Sequence, residues 1–121
     1  MSSGLLVSRL RELLVGAGRD CHPLHYGEYA RRLGLAPDYR PHLQLIIRAL
    51  KEIMREDHRR GRPYASVAAV RLDDNLPGWG FAELAWELGR FSRAVSYQDF
   101  VAAEWERFRT SCRTGPALQA A

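Results

Sequence analysis

Apolar positions recur at helical spacing through most of this chain and close into one unbroken run near its middle. Leu6, Leu10, Leu13, Leu14 and Ala17 form the first stripe; Ser2 or Ser3 can cap its start, and Gly16 and Gly18 stand where the helix should stop. A short helix follows from about Gly27 to Leu33, with a turn at Gly34. Pro41 disfavours helical backbone at Arg40 yet suits a first helical turn, so a long helix is predicted over residues 41–58. Along it Leu43, Ile46, Ile47, Leu50 and Met54 make one apolar stripe with Ile53 beside it, which assigns Ile47 to the core.

GRP breaks that helix, and YASVAAVRL, residues 64–72, is apolar on both faces and rich in small and β-branched side chains. That is the pattern of a largely covered strand. A helix over residues 81–88 then turns Phe81, Leu84, Ala85 and Leu88 inward and stops at Gly89. Ser96 and Asp99 form a capping-box-like start for a last helix that buries Tyr97, Phe100, Val101, Trp105 and Phe108 and ends near Cys112. Between strand and helix, Pro77, Gly78 and Gly80 make a stiff support around Trp79. The ring is expected to fold back over the end of the core with Phe81. The alternative is that it projects, to stack on a base or to fill a partner's pocket.

The pattern is thus mainly α with a small β element, without internal repeats. It forms a single domain over residues 1–112 and a frayed, flexible tail over 113–121. A chain of 121 residues can bury about two thirds of its unfolded surface in one core. With 46% apolar and 26% charged residues, it holds no stretch near the roughly 20 apolar residues of a membrane span. MSSGLLVSRLRELL reaches Arg9 after too short an apolar run for a signal peptide, so a cytoplasmic protein with Cys21 and Cys112 reduced is expected.

Charge adds a polarity. Residues 1–62 carry 12 Arg/Lys against 7 Asp/Glu, a balance of +5, and residues 73–110 carry 4 against 7, a balance of −3. A basic first half attracts phosphate or an acidic partner surface. Of the 18 basic residues 17 are Arg, a bias that GC-rich coding also produces.

The order helix, short extended segment, short helix, turn, long helix, strand is that of a winged helix-turn-helix. HYGEYARRLGL followed by IIRAL, then RPYASVAAV and LPGWG, cover roughly residues 24–80. They resemble the DNA-binding half of the alkylguanine-DNA alkyltransferases and alkyltransferase-like proteins. The resemblance implies a winged helix-turn-helix-like domain with a recognition helix over 41–58, a Gly-rich wing, and DNA as the partner; the apolar pattern adds two C-terminal helices to it. The family's reactive Pro-Cys-His-Arg segment falls in ASVAAV, which has neither Cys nor His, so alkyl transfer is not implied. Its base-displacing Arg falls near Gln44, and the small Gly of its recognition helix falls on Ile47.

On that reading Arg40, Arg48, Lys51, Arg55 and Arg62 contact phosphate while His42 and Gln44 lie near base edges. The competing reading is a solvated helix side on which Glu52 pairs with Arg48 and Arg55, with Glu56 and Asp57 diluting the field. A second function, from a different class, is an adaptor whose contact surface is Trp79 and Trp86, facing another protein or a second copy of the chain. Catalysis finds little support. CHPLH offers Cys21, His22 and His25 without the full ligand set of a zinc site, and Asp73 with Asp74 lies on a turn with no Lys nearby. No metal, cofactor or enzymatic activity is therefore expected.

Overall fold

The computed structural model describes residues 3–114. Five α-helices appear among them: α1 (Ser3–Arg19), α2 (Tyr26–Arg32), α3 (Arg40–Arg59), α4 (Trp79–Glu87) and α5 (Tyr97–Thr114). Two short strands, β1 (Leu24–His25) and β2 (Ala69–Val70), pair in parallel with Leu24 opposite Ala69 and His25 opposite Val70. The expected cap at Ser2 and most of the expected tail, residues 115–121, lie outside the described residues, whereas Arg113 and Thr114 continue α5.

Leu6, Leu10, Leu14 and Ala17 of α1 enter the core as their spacing requires, but the helix does not stop at its glycines. It runs on to Arg19 and turns at Cys21, where φ is +54° and the His22 N–H reaches the Ala17 carbonyl at 3.0 Å. The use of Gly18 is close packing. A Cβ there would lie 2.6 Å from Cys112 Sγ and 2.9 Å from the Phe108 ring, so α1 and α5 meet at a point where no side chain fits.

In α3 the buried positions are Ile46, Ala49, Leu50, Ile53, Met54 and Asp57. The inner face is therefore rotated from the sequence expectation, and Ile47, expected in the core, is 38% exposed. Ala49 and Asp57 complete the inner face, and neither registers in a pattern built from large apolar residues.

The expected strand over 64–72 is a second correction. Tyr64 to Val70 are all buried, as anticipated, but Ala65–Ala68 form a 3₁₀ turn and only Ala69 and Val70 pair as strand. Two enclosed carboxylates explain the difference. Glu104 Oε2 accepts the Tyr64 N–H at 2.7 Å, and Asp57 Oδ2 accepts the Ala65 N–H at 2.9 Å, so these amides bond to side chains and not to a neighbouring strand. Asp57 is bridged by Arg11 at 2.9 Å and Arg62 at 3.2 Å; Glu104 is bridged by Arg90 at 2.9 Å and Arg107 at 3.2 Å. Beyond the segment, the Tyr29 hydroxyl donates to the Ala68 carbonyl at 2.9 Å and the Ser66 hydroxyl to the Leu50 carbonyl at 2.7 Å.

From β2 the chain passes through a turn, with Asn75 at φ +57°, directly into α4; the described residues hold no β-hairpin. No helix among them is long and apolar enough to cross a membrane.

Candidate functional site

Arg40, Gln44, Arg48, Lys51 and Arg55 succeed one another every three or four residues along α3, a spacing that puts them on one side of the helix. Arg40, Gln44, Arg48 and Arg55 are exposed and Lys51 is half-buried. The carboxylates that could neutralise this row are engaged elsewhere or stand apart. Glu56 takes Arg59 and Arg60, Asp57 points into the core, and Glu52 forms no ion pair with Arg48 or Arg55. Elsewhere on the surface many arginines are paired, Arg31 and Arg32 with Glu28, Arg71 with Asp74 and Arg109 with Glu106, whereas exposed Arg9, Arg19, Arg93 and Arg113 form no ion pair among the described residues. The four cations of the α3 row therefore carry positive charge without a carboxylate partner among the described residues.

Two of the residues assigned to this site have other attachments. His42 Nδ1 accepts the Ala36 N–H at 2.9 Å and its ring meets Tyr39 edge-on at 4.8 Å, so it fixes the loop that delivers α3. Arg62 lies beyond the end of α3 with its guanidinium drawn onto enclosed Asp57. The structure thus keeps Arg40, Gln44, Arg48, Lys51 and Arg55 together and gives His42 and Arg62 internal partners.

Beside the row, on the side toward α4, lies a groove of about 300 Å³. Leu43, Ile47, Leu50 and Met54 of α3 form one wall; Tyr26, Trp79, Gly80 and Phe81 form the other, with Lys51 and Arg71 also lining it. Trp79 does not fold back over the core with Phe81. Phe81 is buried, whereas Trp79 is 71% exposed, which corrects the expectation for this loop. The reason is the attachment of its support. The Gly78 N–H donates to the Tyr26 hydroxyl at 2.7 Å, and the Tyr97 hydroxyl donates to the Pro77 carbonyl at 2.7 Å. Gly78 then caps α4, so Trp79 occupies the first helical position and points outward while Phe81, two residues on, packs edge-on against Tyr64 at 6.0 Å. Burial raises the phenols of both Tyr26 and Tyr97 above their ordinary range, and they remain protonated at neutral pH.

Gly80 brings α4 close to α3: a Cβ there would lie 3.0 Å from Lys51 Cε, so the lysine stem lies across the start of α4. Trp86, 46% exposed, continues the outward face of α4 and packs edge-on against Phe91 at 5.7 Å. Of the residues that shape the groove, sequence reasoning missed Ile47 and Tyr26. Ile47 was visible as one of a row with Leu43, Leu50 and Met54, displaced by part of a turn from the core row of Ile46, Ala49 and Ile53.

Cys21, His22 and His25 do not converge. His25 Nε2 shares a hydrogen with Asn75 Oδ1 at 3.0 Å, and among the described residues no group of three or more His, Cys, Asp or Glu is placed to hold a metal. No family model, curated protein or solved structure matches the chain.

Proposed function

We propose that the protein is a non-catalytic nucleic-acid-binding protein that lays the exposed side of α3 against the phosphate backbone. The observation that carries this reading is the row Arg40, Arg48, Lys51 and Arg55, which among the described residues has no carboxylate partners, on a surface where most other arginines are paired. Unpaired cations can replace the counterions condensed on nucleic-acid phosphates, and the release of those ions is the driving term of such binding. Gln44 lies within the row, where its amide can reach a base edge. The α2–turn–α3 arrangement, with Leu35 N–H closing on the Ala30 carbonyl at 2.8 Å, supports a helix-turn-helix reading in which α3 is the recognition helix. The partner of the alkyltransferase-like proteins that residues 24–80 resemble is DNA, and DNA is the nucleic acid proposed here.

The direct test reverses Arg48, Lys51 and Arg55 to Glu together. All three lie off the buried face, so circular dichroism should stay that of the parent while DNA retention in a gel shift is abolished. Unchanged DNA affinity with an intact spectrum contradicts the reading.

A second reading, an interaction adaptor, is favoured by one separate observation, the outward indole of Trp79 beside an apolar groove.

A further inference from the structure

We propose that the groove between α3 and α4 receives an amphipathic helix of another protein, apolar along one stripe and acidic along the flank that meets α3. The groove's own geometry carries this. Its α3 wall, from Leu43 to Met54, spans about three helical turns, the length over which a docked helix places anchors at i, i+3 or i+4, and i+7. Ile47 and Trp79 stand exposed at its mouth, an apolar surface that water solvates poorly and a partner side chain would cover.

Charge selects the occupant. Lys51 lines the groove on the α3 side, and Arg48 and Arg55 stand beside it in the same helical row, none of them ion-paired among the described residues; on the far side of Trp79 the surface carries Glu83 and Glu87 around Trp86, with Arg93 over the Trp86 ring. A polyanion can follow α3 but meets two carboxylates as soon as it crosses Trp79. A second copy docked groove to groove would bring two rows of unpaired cations together. A protein helix with an apolar centre and acidic residues on one flank satisfies both the apolar mouth and the unpaired cations.

The inference does not rest on the nucleic-acid reading, but the two ligands share Arg48 and Lys51 and so exclude one another. A partner of this kind would then release the protein from nucleic acid.

The test titrates isotope-labelled protein with three probes: a synthetic helical peptide of about four turns with a Leu stripe and a Glu flank, the same peptide with every Glu replaced by Lys, and oligothymidine. The acidic peptide is expected to shift the resonances of Ile47, Trp79 and Phe81 saturably and to bind at least tenfold more tightly than its Lys counterpart. Trp79→Ala should weaken the acidic peptide roughly tenfold or more, as loss of a central aromatic anchor does, and leave the oligothymidine affinity unchanged. Arg48→Glu with Lys51→Glu should reverse the preference between the two peptides. Absence of a saturable shift at Trp79, or equal binding of both peptides, overturns the proposal. So does a loss of oligothymidine affinity in Trp79→Ala, which would give the groove to nucleic acid. Failure of the nucleic-acid reading shows separately, as oligothymidine binding that survives the triple reversal on α3.

Discussion

Asp57 and Glu104 are fully enclosed acids, and each holds two arginines and one backbone amide. Replacing Asp57 strands Arg11 and Arg62, whose side chains are only 11% and 14% exposed, so Asp57→Ala should lower stability by about 3–5 kcal/mol in urea denaturation. A variant as stable as the parent would show that Arg11 and Arg62 reach solvent. Gly18 is a residue-scale constraint of a different kind. Gly18→Ala forces Cys112 and Phe108 aside in a packed crossing and should cost about 1–3 kcal/mol. The two cysteines should part in behaviour. Cys21 is exposed, whereas burial pushes the Cys112 thiol up to about 11. Alkylation of the folded protein at neutral pH should modify Cys21 alone, read by mass spectrometry of the digested chain; equal labelling of both would contradict the packing at Gly18.

At the scale of the element, the loop from Arg71 to Gly78 is a frame held by two distant hydroxyls. Tyr26→Phe combined with Tyr97→Phe removes both and should cost about 1–3 kcal/mol, and should also broaden the Trp79 indole signal in a heteronuclear spectrum. A sharp, unshifted signal would mean that α4 alone fixes the ring. The same contrast between local and distant partners decides what could be read from the sequence. The first, third and last helices were legible because a 3.6-residue stripe is a local property, and so was the row of cations on α3. The phase of α3 was not, since Ala49 and Asp57 complete its inner face without the signature of large apolar residues. The segment 64–70 was legible as buried but not as a 3₁₀ turn, because the carboxylate that caps Tyr64 comes from Glu104, far along the chain. Trp79 points outward for a reason equally remote, the hydroxyls of Tyr26 and Tyr97.

For the whole molecule, the alkaline limit of stability follows from the buried phenols and thiol. Burial raises Tyr29, Tyr64, Tyr26 and Tyr97 as well as Cys112. The unfolded chain loses these protons at lower pH than the folded one, so their contribution is fully present below about pH 9 and is lost as the pH rises through the raised folded values. Thermal melts should therefore be flat across neutral pH and fall steadily above it. On the proposed reading, the exposed row of Arg40, Arg48, Lys51 and Arg55 is the face that meets polyanions. Its sharpest test is the salt dependence of DNA affinity. Four unpaired cations on α3 should give log K a slope of about −3 to −4 against log salt, and Lys51→Ala should make that slope shallower by about one while weakening all sequences alike. A slope near zero, or one that Lys51→Ala leaves unchanged, would contradict a phosphate-binding face on α3.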